Sequence, residues 1–218
     1  TRLVETRPAG DVDHDGIAEL LVLLWRLASD TADPPELMLV TGRDPEPRWR
    51  VVLSPAGMAP GDVDATGLGD TNGDGVGDVA VAITAGGITT LSVLSGLDGH
   101  SLLTMPDPPS SARVLPGGDM DGDGLADVLA YGVAAGTRVF AFLSGVTGAP
   151  IHSAIAMPDR AAVNGYVGPD WNGDGIGDVL VDDYRYVDPS SGRFVDHGRL
   201  SGWDSETVRD LLRSAPED

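Results

Sequence analysis

The chain contains no cysteine, no lysine, only six glutamates beside 28 aspartates, and no long apolar run. Without cysteine there is no disulfide framework, no thiol nucleophile and no thiolate set for a structural zinc. The compartment therefore cannot be read from redox chemistry. The most apolar stretch, Leu20 to Trp25, stops at Arg26, far short of the ~20 residues a membrane helix needs. Direct membrane insertion is not expected. Thr1 opens the sequence without a charged n-region or an apolar h-region, so a secretory leader is expected to be absent from these residues. No Gly-x-Ser-x-Gly elbow occurs. The four histidines, His14, His100, His152 and His197, are scattered, and His100 and His152 recur before Ser101 and Ser153 as features of a repeat. No useful length of 3.6-residue periodicity is found, which excludes a helical solenoid.

What is present is acid, glycine and enough apolar content to fold. Hydrophobic residues make up 41% of 218, which argues against a disordered chain and allows one sizeable domain. The formal charge is −20, with arginine supplying all 14 positive charges. Such a surface repels nucleic acid and anionic lipid, so no nucleic-acid partner is expected. The excess of Asp over Glu needs its own reason. Asp is the shorter carboxylate, suited to turns and to tight oxygen cages rather than to helices.

That reason lies in an internal repeat. Four loops align, beginning at Asp11, Asp70, Asp119 and Asp170, at intervals of 59, 49 and 51 residues. A second mark follows each one: Thr41-Gly42, Ser95-Gly96, Ser144-Gly145 and Ser201-Gly202. After each loop comes a short apolar run, Leu20 to Trp25, Val79 to Ile83, Val128 to Tyr131 and Val179 to Val181, bounded by Gly and Asp as a buried strand is. Further short strands flank the Ser/Thr-Gly turn and precede the next loop. Four short antiparallel strands in about 50 residues is the size of one propeller blade. The expected fold is therefore an all-β propeller of four blade-like repeats, either four-bladed or part of a larger ring. A single repeat domain over 1–218 is expected, with repeats at approximately 1–54, 55–106, 107–158 and 159–218. Insertions at Ala28 to Pro35 and Asp182 to His197 interrupt the pattern.

Each loop reads Asp-x-Asp/Asn-x-Asp-Gly-x-x-Asp/Glu. Positions one, three and five set oxygen ligands on one side of a tight turn, and Gly at position six lets the backbone bend. Position seven can offer its carbonyl, which leaves its side chain free to be apolar and to enter the core. Position nine closes the cage. The candidate metal ligands are Asp11, Asp13, Asp15, Ile17 and Glu19 in the first loop, and Asp70, Asn72, Asp74, Val76 and Asp78 in the second. They are Asp119, Asp121, Asp123, Leu125 and Asp127 in the third, and Asp170, Asn172, Asp174, Ile176 and Asp178 in the fourth. An all-oxygen set of this kind fits Ca²⁺, up to four ions, better than magnesium or zinc. An EF-hand is excluded because position twelve is Val22, Val81, Ala130 and Val181 rather than a bidentate Glu. Asn-Gly-Asp-Gly is also good turn chemistry without a metal. The repulsion of several carboxylates within a few Å is what favours a cation.

At these residues the pattern resembles the FG-GAP repeats, also called VCBS-type repeats, of integrin α-subunit propellers and bacterial surface proteins. Asp70 to Gly99 and Asp119 to Gly148 carry the likeness, through Gly-Asp-x-Asn/Asp-Gly-Asp-Gly-x-x-Asp and a Ser-Gly-x-x-Gly turn. The Phe-Gly and Gly-Ala-Pro words are missing apart from Gly148-Ala149-Pro150. The resemblance implies a β-propeller with calcium loops on one face and an extracellular, cell-surface or periplasmic setting.

The expected function is a non-catalytic binding, adhesion or scaffold role stabilised by calcium, with a protein or carbohydrate partner and assembly with further repeats or subunits. The two insertions, Ala28 to Pro35 and Asp182 to His197, are the candidate partner surface, with Tyr184, Arg185, Tyr186, Phe194 and Trp203 in or near the second. A propeller-fold enzyme acting on polysaccharide and a purely structural subunit are the alternatives. No catalytic constellation is visible, so an enzyme is not expected.

Overall fold

The computed structural model describes residues 2–26, 33–44, 46–55, 57–156, 165–167, 179–181, 185–188 and 193–196. The fold is all-β. The apolar runs after each loop form the second strand of a sheet, and the turn residues between them close antiparallel hairpins. The first sheet contains β1 (Arg2–Gly10), β2 (Glu19–Arg26), β3 (Glu36–Val40) and β4 (Pro47–Val52). The second contains β5 (Val63–Gly67), β6 (Val79–Ala85), β7 (Ile88–Leu94) and β8 (Ser101–Met105). The third contains β9 (Ser110–Gly118), β10 (Asp127–Ala134), β11 (Thr137–Leu143) and β12 (Ile155–Ala156). Short strands β13 (Gly165–Val167), β14 (Val179–Val181), β15 (Arg185–Asp188) and β16 (Arg193–Asp196) make a fourth. In every sheet the strands lie side by side in chain order.

Side-chain periodicity explains how the sheets stack. On β6, Val79 and Val81 point to one side while Ala80 and Ala82 point to the other, and all four are buried. The first pair joins Leu21, Leu23, Leu37, Leu39 and Trp49 in a core between the first and second sheets. The second pair joins Val114, Val128, Ala130 and Leu143 in a core between the second and third. A strand covered on both faces reads as a continuous apolar run, whereas β3 and β5 alternate. Each fully buried Leu in these layers contributes about 1.5–3 kcal/mol relative to exposure.

The propeller expectation is corrected. Each sheet packs on the next through the later sheet's first strand: β5 lies against β1 and β2, β9 against β5, β6 and β7, and β13 against β9. This is a linear series of loosely connected sheets. Among the described strands no comparable packing returns from the fourth sheet to the first, and the sheets are not arranged radially about an axis. Neither a four-bladed ring nor a segment of a larger one describes it. The physical reason is that a repeat reports only the contact between neighbouring units, and a ring and an open stack share that contact. Among the described residues no helix is long and apolar enough to cross a membrane.

Candidate metal centre

Three of the four acidic loops fall among the described residues, and each joins the first two strands of its sheet. Local hydrogen bonding shapes them alike. The position-one carboxylate folds back over its own loop: Asp11 Oδ2 accepts the Gly16 amide at 3.0 Å, Asp70 Oδ2 accepts Gly75 at 2.8 Å and Asp119 Oδ2 accepts Gly124 at 2.9 Å. The position-five carboxylate accepts the position-seven amide, with Asp15 to Ile17, Asp74 to Val76 and Asp123 to Leu125 all at 2.8 Å. Gly16, Gly75 and Gly124 stand at φ of 81 to 86°, which a side chain rarely adopts. His14 occupies position four, where the other loops have Gly73 and Gly122, and carries the same left-handed backbone at φ 58°. Its side chain is exposed.

Two groups of carboxylates converge closely enough to hold a cation. Oxygens of Asp11, Asp13 and Asp15 lie within 4.8 Å of one another, as do oxygens of Asp119, Asp121 and Asp127. The groups differ in membership, since the first uses positions one, three and five and the third uses one, three and nine. Glu19 and Asp123 stand outside them. In the second loop Asn72 replaces a carboxylate at position three and donates to Asp74 Oδ2 at 3.2 Å. Hydrogen bonds within the loop link Asp70, Asn72 and Asp74, and no group of three carboxylates converges there. An ionised carboxylate offers about four lone-pair sites, so the amide bonds above leave capacity for an ion. All donors are oxygens, the set that a hard divalent cation takes. The position-seven side chains divide: Val76 packs partly against the first core, while Ile17 is exposed and lies over Gly42. Core entry at this position is thus corrected for Ile17.

Position nine has a structural role that loop spacing alone does not reveal. Asp78 and Asp127 are wholly buried. Asp78 Oδ2 accepts the Thr71 amide at 3.0 Å and the Thr71 hydroxyl at 2.6 Å, while Oδ1 accepts the Gly96 amide at 3.0 Å. Asp127 repeats the pattern with Met120 at 2.7 Å and Gly145 at 3.0 Å. The Ser-Gly mark is therefore the far half of the same device. Its glycine is required because a Cβ on Gly96 would collide with the Gly77 carbonyl oxygen, and one on Gly145 with that of Ala126. The signal in the sequence was the equal spacing of the two marks in repeats two and three.

Burial raises the Asp127 pKa from its ordinary 3.8 to about 6; the amides of Gly145 and Met120 oppose this, and the charges of Asp121 and Asp123 add to it. Asp78 moves up for the same leading reason, burial. Asp70 moves down, because four backbone amides outweigh its burial. An acidic cluster whose buried member resists ionisation has a deficit of positive charge, which a bound cation would supply.

Arg43 and Arg48, which motif reading passed over, reach the first loop and pair with Asp15 and Asp13. Two acids just upstream of the second loop serve elsewhere: Asp62 accepts the Ala59 amide at 2.7 Å, and Asp64 accepts the Val114 amide at 3.0 Å across to the third sheet. The fourth loop, Asp170, Asn172, Asp174, Ile176 and Asp178, lies outside the described residues, as do Ser201-Gly202 and the side chains of Tyr184, Arg185, Tyr186, Phe194 and Trp203.

No family model matches this chain, and no curated protein matches it. The likeness to FG-GAP, VCBS-type and integrin α repeats is therefore withdrawn along with the propeller and the cell-adhesion role it implied. It rested on loop and turn words that the local chemistry of Asp, Asn and Gly explains by itself.

Proposed function

We propose that this chain is a divalent-cation-binding β-repeat domain, with calcium the preferred ion and up to four ions bound, one per acidic loop. The observation that carries the reading is the convergence of three carboxylates within 4.8 Å in two separate loops built to one pattern. Supporting it are the all-oxygen donor set and the raised pKa of Asp127 inside such a group. The coincidence of one four-stranded sheet with each repeat supports a single domain whose loops lie at equivalent places. The ions would lock each loop to its sheet, and the domain would serve as a binding or structural unit rather than an enzyme. Weak-to-moderate sites of this kind fill at millimolar calcium, which favours a setting outside the cytoplasm. A protein or carbohydrate partner is compatible with the acidic surface, and nucleic acid is not.

The test is thermal unfolding with calcium and with a chelator, together with metal analysis of the protein as isolated. Calcium should raise the midpoint, because a ligand bound only by the native state stabilises it. Equal midpoints with no bound metal would overturn the reading.

A further inference from the structure

The first loop differs from the other two in what faces its carboxylates. Arg43 Nε lies 2.9 Å from Asp15 Oδ2, and Arg48 Nη1 lies 3.1 Å from Asp13 Oδ2. Among the described residues no arginine pairs with a carboxylate of the second or third loop. Both arginines come from the segment that follows the Thr41-Gly42 turn, so they stand where a repeat closes on its own loop. Arg48 also donates through Nε to the Leu97 carbonyl at 3.3 Å, and the adjacent Trp49 donates through Nε1 to the Gly96 carbonyl at 3.0 Å. One guanidinium thus spans the first loop and the turn of the second repeat.

A second difference is independent of these pairs. In repeats two and three the position-nine Asp takes the amide of the turn glycine. Glu19, at the same position, is 1% exposed, and only its Oε2 is engaged, by the Val12 amide at 2.6 Å. Its Oε1 is buried without a hydrogen-bond partner. The carboxylate–amide tie between loop and turn is missing in the first repeat, and the arginine pairs stand in its place.

We infer that the first loop is self-inhibited: Arg43 and Arg48 act as resident cations that latch it to its own turn and to the second repeat, and a divalent ion must displace them to enter. The loop holds its shape without metal, and its affinity for calcium is the lowest of the three described. A planar guanidinium suits this role because it bonds a carboxylate and a carbonyl at once, which the ammonium of lysine does less well. The latch predicts opposite responses along the chain. Calcium tightens the second and third loops and loosens the bridge from Arg48 to Leu97.

The experiment has two arms. In the first, hydrogen exchange is followed in the calcium-free full chain at the equivalent amides of Gly16, Gly75 and Gly124. Gly16 should exchange about fivefold more slowly than the other two, as two exposed ion pairs permit. Arg43→Gln with Arg48→Gln should remove that difference, and Arg48→Lys should remove part of it. Equal exchange at the three amides of the unaltered chain overturns the latch. In the second arm, calcium is titrated calorimetrically into the unaltered chain and the double variant. The variant should show one site tightened by about tenfold, the equivalent of 1.4 kcal/mol. An unchanged isotherm overturns the self-inhibition. This arm rests on the cation reading of the loops and the exchange arm does not. Absence of calcium binding in both proteins, with Gly16 still protected, would overturn the proposed function and the competition with calcium while leaving the latch established.

Discussion

The Asp127 carboxylate accepts the backbone amide of Gly145 at 3.0 Å, tying the end of an acidic loop to a turn 18 residues further along the chain. Its other oxygen takes the Met120 amide at 2.7 Å. Asp127→Ala leaves both amides buried and unpaired. The expected cost is about 2–4 kcal/mol, read as a lower urea midpoint at unchanged slope. Asp127→Asn keeps one acceptor and should cost less.

The same carboxylate sets a pH dependence. Its pKa in the folded chain, about 6, lies above the ordinary 3.8, so the folded state binds this proton more tightly than the unfolded state. Stability from this group is present below about pH 4 and is lost as pH rises through about 6. Asp78 acts in the same direction. Calcium-free protein should therefore be more stable near pH 4.5 than near pH 7, by on the order of 1–3 kcal/mol from Asp127. Saturating calcium should flatten or reverse this trend, since the ion favours the ionised form. Chemical denaturation at both pH values, with chelator and with calcium, checks the sign.

Gly145→Ala and Gly96→Ala should each destabilise by about 2 kcal/mol or more, because the added methyl meets a backbone carbonyl that cannot retreat without separating turn from loop. The loss should persist in calcium, which distinguishes a packing role from a ligand role.

His14→Gly should stabilise the chain by about 0.5–1 kcal/mol. The left-handed backbone at φ 58° penalises a Cβ, and that relief exceeds the entropy glycine adds to the unfolded chain. Thermal unfolding with and without calcium would show a similar gain.

Trp49→Phe removes the indole donor while keeping most of the packing, and strands the Gly96 carbonyl. A loss of about 1–2 kcal/mol is expected, with amide exchange rising first at the junction of the first and second sheets.

Much of this protein was legible in its sequence because much of it is decided locally. Asp at positions one and five bonds amides only two to five residues away, so the loops declare themselves wherever Asp-x-Asn-Gly-Asp-Gly occurs. Strands such as Glu36–Val40 announce their buried face by alternation. The sequence alone therefore determined the all-β class, the positions of the acidic loops and the oxygen-bearing side chains that line them.

Tertiary structure decided what those parts do together. Val79 and Ala80 look alike in the sequence, yet they serve different cores, because the side of a strand that meets a partner depends on which sheet arrives there. The linear series of sheets in place of a ring follows from which strands of neighbouring sheets meet, and no repeat spacing encodes that. Asp78 and Asp127 became the tie to the Ser-Gly turn only when folding buried them and brought Gly96 and Gly145 alongside. Arg48 lies 35 residues from Asp13, and only the approach of β4 to the first loop turns an ordinary arginine into that loop's counter-charge.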